Sequence, residues 1–153
     1  MEVLERIERQ IHRKAPDNLA WHILLALHHC SRRSIGRVYN DSHDDEEFEQ
    51  SDAALKALGE QRGNGYVISS SRQLKRGGHT PPSFHAKNRY LKILAGGGEV
   101  TDVARARFLC TGGNEDGDKP EHIVCHLTGA GPTKPQRPKS TAAVASVGRS
   151  SVG

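Results

Sequence analysis

Aromatic side chains are scarce in this chain: one Trp, three Tyr and three Phe in 153 residues, with a single Met. Leu, Ile, Val and Phe together number 31, which places the chain at the compositional edge between folded and disordered proteins. So little apolar material supports one modest core, and neither a large enzyme barrel nor a full dinucleotide-binding domain fits. A mean hydropathy of −0.65 agrees with a chain that is compact over only part of its length.

Long apolar runs are missing too. The longest, Leu19 to Leu27, is broken by His22 and falls far short of the roughly 18 residues a membrane span needs. The first residues alternate charge (Glu2, Glu5, Arg6, Glu8, Arg9) where a secretory leader would be apolar. Three widely spaced cysteines, Cys30, Cys110 and Cys125, do not make a disulfide framework and suit a reducing compartment. The expectation is an intracellular protein of the cytoplasm or nucleus with no membrane partner. Glycine clusters at 63–65, 96–98 and 129–131 match neither phosphate-loop nor dinucleotide fingerprints, so no cofactor is expected.

What the chain does have is segregated charge. Residues 1–40 carry net +3, 41–60 net −7, 61–98 net +7 with no acid at all, 99–131 net −3 and 132–153 net +4. The acid-free stretch holds Arg62, Arg72, Lys75, Arg76, Lys87, Arg89 and Lys92, interleaved with Tyr66, Phe84, His85 and Tyr90. Phosphates attract such cations, and bases stack on such rings, so the mixture points to nucleic acid. Arg32, Arg33 and Arg37 add a second basic group. Were all seven cations of the middle stretch on phosphates, affinity would fall about 10³–10⁵-fold between about 50 and 200 mM salt.

Periodicity predicts helices over about 2–14, 17–30, 51–62, 86–95 and 101–110, with Trp21, Leu24 and Leu27 at the heart of the core. A short helix with Ile35 and Val38 inward is expected over 31–40, and a solvated acidic loop over 41–50. Tyr66-Val67-Ile68 is the one convincing strand signal. Residues 121–127 fit either a helix or a strand. From Gly129 onward, Pro, Lys, Ser, Thr, Ala and Gly dominate, so 129–153 reads as a disordered basic tail after a compact domain over 1–128, with a sub-boundary near 78–85.

The run AALKALGEQRGNGYVISSSRQLKRGG, a capped helix leading through glycine into a strand and then a basic arm, resembles the winged helix-turn-helix family over about residues 17–78. The resemblance implies a mostly helical α+β fold, winged-helix-like, with a short β-hairpin. It also implies a non-catalytic transcription regulator that sets a basic arm and helix on the DNA backbone, with DNA favoured over RNA. A second stretch, NRYLKILAGGGEVTDVARARFL, offers Arg105 and Arg107 as exposed cations. The alternative reading is a protein-docking modulator or inhibitor of a larger nucleic-acid machine, of the compact kind that phages and viruses encode.

Other chemistry carries less weight. His122 and His126 would share one face of a helix, and Cys110, Cys125 or His29 would have to complete a zinc site, so no metal is expected. Pairs of Cys125 or Cys110 with His79, His85 or His126 arise by chance in a chain with nine His, and no enzyme is expected.

Overall fold

A computed structural model of the chain describes residues 6–12, 14–38, 48–50, 52–75, 81–114, 119–129, 131–133 and 135. Three parallel strands form its centre: β1 (Trp21–Leu25), β4 (Gln61–Ser69) and β5 (Phe108–Cys110), in the order β1-β4-β5. Around them lie an antiparallel pair β2 (Gly36–Val38) and β3 (Phe48–Gln50), helices α1 (Asp52–Leu58), α2 (Phe84–Leu94) and α3 (Asp102–Ala106), and a small hairpin of β6 (Leu127–Thr128) and β7 (Gly131–Pro132). This corrects the mostly helical, winged-helix-like expectation. The chain is α+β around a parallel sheet, and the strand at 66–68 is the central strand of that sheet, not one arm of a hairpin.

The largest single difference is residues 17–30. A 3-10 turn over Pro16–Leu19 leads into β1, where a helix was expected. A short apolar run looks the same whether it is a buried helix or a parallel strand, and here pairing decided it. Leu24 and Leu25 align with Val67 and Ile68, and Ala26 N–H donates to Ile68 O at 2.8 Å. Trp21 and Leu24 pack on the core, but Leu27 lies outside it, 36% exposed. The segment after it is helical only over one 3-10 turn, Arg32–Ser34, before it passes into β2, which pairs with β3 out of the expected acidic loop.

The helices after residue 50 follow the sequence more closely. Gly59 ends α1, since a β-carbon there would lie 2.7 Å from Leu55 O. Gly63-Asn64-Gly65 then becomes an irregularity at the start of β4, between the Trp21–Gln61 and Ile23–Tyr66 pairs. Ser83 caps α2 by accepting from Ala86 N–H, and Thr101 caps α3 by accepting from Ala104 N–H. Phe108–Cys110, expected to continue the last helix, is β5 beside β4.

Tyr90, Leu91 and Leu94 of α2 meet Val67, Phe108, Cys30 and Cys110 in one buried cluster, with the Tyr90 and Phe108 rings 6.4 Å apart. Each such side chain contributes about 1.5–3 kcal/mol of burial. Because α2 runs back across the sheet, its first turn lies at the carboxyl ends of the strands and its last turn at their amino ends. Ser83 N–H donates to Cys30 O at 2.9 Å at one end, and Gln61 Nε2 donates to Leu94 O at 3.2 Å at the other.

That last turn is held by Arg107, expected on the surface as an exposed cation and found half-buried between α3 and β5. Its guanidinium donates to Leu94 O and, at 2.9 Å, to Gln61 Oε1. A cation on the final carbonyls of a helix is where the macrodipole favours it. Arg107→Met should therefore lower stability by about 2–3 kcal/mol, the scale of charge-assisted hydrogen bonds, when unfolding is followed in urea.

The hairpin of β6 and β7 lies against β1, with Gly131 beside the His22 ring. Of the tail expected over 129–153, residues 130, 134 and 136–153 lie outside the described residues. Among the described residues no helix is long and apolar enough to cross a membrane.

Candidate nucleic-acid interface

In open sheets built on parallel strands, ligands collect at the carboxyl ends, where the strands hand over to loops. Here three loops meet at that edge: 26–31 after β1, 70–75 after β4 and 111–114 after β5.

The first has unusual backbone. His28, His29 and Cys30 take φ values of +49°, +56° and +62°, three consecutive side-chain-bearing residues in the left-handed region. Such residues cost about 1 kcal/mol or more each and persist only where the surroundings over-determine them. Several contacts do so here. Leu27 N–H donates to Tyr90 Oη at 2.9 Å, Cys30 N–H to Leu27 O, and Ser31 N–H to Leu27 O at 3.2 Å. His29 Nδ1 lies 2.6 Å from Ser70 O, and since a carbonyl only accepts, Nδ1 carries the proton. The exposed His29 ring is thus locked to the second loop.

Cys30 is wholly buried beneath this turn. Burial pushes its thiol from 9.0 up to about 12, against a smaller opposing pull from a hydrogen bond with Ser69. Burial likewise pushes the Tyr90 hydroxyl well above its ordinary value, opposed by its bond from Leu27.

The second and third loops are stitched together. Thr111 Oγ1 accepts from Ser71 N–H at 3.2 Å and lies 3.2 Å from Ser71 O, to which its own hydroxyl donates. Ser71 Oγ contacts Ser69 Oγ at 2.7 Å and Cys110 Sγ at 3.3 Å. Gly112 lies so close to the backbone of Arg72 and Gln73 that a β-carbon there would overlap it. Glu121 N–H then donates to Thr111 O at 2.8 Å, which brings residues 120–122 alongside. Between these segments opens a cleft of about 550 Å³, lined by Ser71, Arg72, Gln73, Thr111, Gly112, Pro120, Glu121 and His122.

The expected cations divide between the two ends of the sheet. Arg72 and Lys75, both exposed, follow β4 at the carboxyl edge, where Arg72 Nη2 donates to Pro81 O at 3.4 Å. Exposed Arg33 and half-buried Arg32 lie in the turn after the same edge of β1, and Arg37 is in β2. Lys87 is turned inward: its ammonium lies 5.5 Å from the Phe84 ring centre and 5.8 Å from that of Phe108, and donates to Asn114 O at 3.4 Å. Arg89 is half-buried, and burial pulls its guanidinium below the usual arginine value. Arg62, at the start of β4, and Lys92, near the end of α2, are exposed at the amino edge. Lys92 lines a second cleft of about 300 Å³ with Lys56 and Glu60. Arg76 lies outside the described residues, as does His79.

Several residues of the edge were not singled out from the sequence: Ser71, Gln73, Thr111, Gly112 and Glu121. For Ser71, Thr111 and Gly112 a signal was present in the runs SSSR, at the end of β4, and TGG, directly after β5; Gln73 and Glu121 carried none. The segment 121–126 is not helical, so no helix face aligns His122 with His126. Among the described residues no three His, Cys, Asp or Glu side chains gather where they could hold one metal ion.

No protein-family model matches the chain, and neither a curated protein nor a solved structure matches it.

Proposed function

We propose that this chain binds nucleic acid without catalysing a reaction, as a regulator in the cytoplasm or nucleus, and that it does so through the carboxyl edge of its parallel sheet. DNA is the favoured polymer. The observation that carries the reading is the place of Arg72: an exposed guanidinium on the wall of the larger cleft, ahead of Lys75 in a stretch that contains no acid between 61 and 98. Phosphate oxygens take bidentate arginine contacts well, and a loop stapled to its neighbour by Thr111 and Gly112 presents that group without much further ordering. Arg33 extends the cationic rim after β1.

The docking alternative has less behind it. Leu25 and Val103 are 64% and 65% exposed, but one ends β1 at the carboxyl edge and the other begins α3 ahead of β5. Isolated apolar side chains are ordinary on a protein surface.

The test is paired charge reversal. Arg72→Glu with Lys75→Glu should abolish binding of a fluorescent single-stranded or duplex oligonucleotide at low salt. Arg62→Glu with Lys92→Glu, the same change in charge at the other edge, should leave a measurable complex. Equal losses from the two pairs would mean that only net charge matters, and the proposed edge would be wrong.

A further inference from the structure

We infer that Asn64 and Gly65 form a site of self-modification, at which the Gly65 backbone nitrogen attacks the Asn64 side-chain amide and turns it into an acid. The motif Gly63-Asn64-Gly65 takes no part in the proposed binding edge. It lies at the other end of the sheet, at the start of β4.

The register of the sheet sets these residues loose. Trp21 pairs with Gln61 and Ile23 with Tyr66, so two steps along β1 face five along β4. Arg62 to Gly65 are the surplus, outside the ladder with β1, and pairing with β5 begins only at Val67. A bulge of this kind leaves its extra residues without ladder bonds. Arg62, Gly63 and Asn64 are exposed, and Gly63 takes φ +53°. Among the described residues the Asn64 side-chain amide has no hydrogen-bond partner, so it is free to turn back on the main chain. The residue that follows decides whether attack is possible. A β-carbon at 65 would crowd the approach of the nitrogen to the side-chain carbonyl, and glycine has none.

In the reaction a C–N bond forms between Gly65 N and the Asn64 side-chain carbonyl carbon. The bond from that carbon to the amide nitrogen breaks, and ammonia leaves with the proton of the Gly65 N–H. Water then opens the resulting cyclic imide. Addition at the side-chain carbon gives aspartate, and addition at the main-chain carbon gives isoaspartate, in which the chain runs through the former side chain and is longer by one methylene. There is little room for that methylene. Gly65 lies against the Trp21 ring, where even a β-carbon would come within 2.8 Å of Cζ3, and Gly65 O accepts from Arg107 Nη1 at 3.5 Å. Displacing Gly65 therefore disturbs Trp21, whose Nε1 donates to Leu58 O at 2.9 Å, and loosens β1 from β4.

The experiment ages the full-length protein in mildly alkaline buffer, cuts it with trypsin and weighs the peptides. Cleavage after Arg62 and Arg72 yields 63–72, in which Asn64 is the sole side-chain amide, so a gain in mass from amide to acid reports this site alone. Labelling by an isoaspartate-specific methyltransferase tells the two products apart. Asn64 in the folded protein should convert at a rate within about tenfold of that in the isolated peptide 63–72, because a segment outside the ladders opens at little cost. It should also convert faster than Asn18 and Asn88, which Leu19 and Arg89 follow. Asn64→Gln should abolish the change and leave the urea midpoint of fresh protein unaltered. Aged wild type should unfold at lower urea than fresh, and aged Asn64→Gln should not. If the folded protein keeps its amide while the isolated peptide loses it, the fold locks the bulge and the inference is overturned. An isoaspartate form with an unchanged urea midpoint would overturn the loosening of β1 from β4.

Discussion

Replacing Gly112 with alanine should cost about 3 kcal/mol and abolish nucleic-acid binding together, because the added methyl has nowhere to go. The β-carbon would overlap backbone atoms of Arg72 and Gln73 rather than the end of a flexible side chain, so the two loops must separate. Separation removes the Thr111 bridge to Ser71 and displaces Arg72, which joins stability to function at one position. Gly129→Ala is the matched control: no atom lies within 4 Å of a β-carbon there, and it should leave both properties unchanged. Urea midpoints and oligonucleotide affinities of the two variants, measured side by side, check the prediction.

A second large effect is expected in alkali. Below about pH 9 the Cys30 thiol keeps its proton whether the chain is folded or unfolded, and it adds no pH dependence. Between pH 9 and about 12 the unfolded chain releases that proton while the folded chain, with Cys30 buried, holds it. Stability therefore falls as pH rises through this window, by about 4 kcal/mol for a shift from 9.0 to about 12. Buried Tyr90 acts in the same direction above its ordinary value. Cys30→Ala lowers stability at neutral pH by opening space in the core, yet its stability should fall less steeply between pH 9 and 12. Unfolding midpoints at four or five pH values, for wild type and variant, separate the two effects. Parallel slopes would show that Cys30 is not shielded as the structure has it.

How much of this was legible in the sequence depended on whether a signal was local. Ser83 and Thr101 cap their helices through side-chain oxygens, Gly96 follows the end of α2 with positive φ, and Tyr66-Val67-Ile68 is in a strand: each is fixed within a few residues. What failed was non-local. Trp21–Leu25 and Phe108–Cys110 are strands because β4 lies between them and bonds to both, and no window of sequence contains that fact. The order apolar run, helix, strand, helix, apolar run was nevertheless on the page, and alternation of that kind points to a parallel sheet.

The candidate site divides in the same way. The cationic side chains were visible as letters, but their separation to two edges was not, since it follows from α2 running back across the sheet. Arg105 and Arg107 looked alike in sequence. One is exposed and lies 3.9 Å from Asp102, while the other is drawn in to close a helix end. Periodicity sees only the helix that ends at Arg107, whereas its partners Gln61 and Leu94 come from other elements.

The central claim is that Arg72, Lys75 and Arg33, rather than the whole cationic stretch, meet phosphate. The salt dependence of oligonucleotide affinity tests it most directly, because each phosphate contact contributes about −0.7 to −0.9 to the slope of log affinity against log salt. The account predicts a slope of about −2 to −3, reduced in magnitude by just under one in Arg72→Ala and unchanged in Arg62→Ala and Lys92→Ala. A slope near −5 to −6 that Arg62→Ala and Lys92→Ala each reduce would put the whole stretch on the polymer and contradict it.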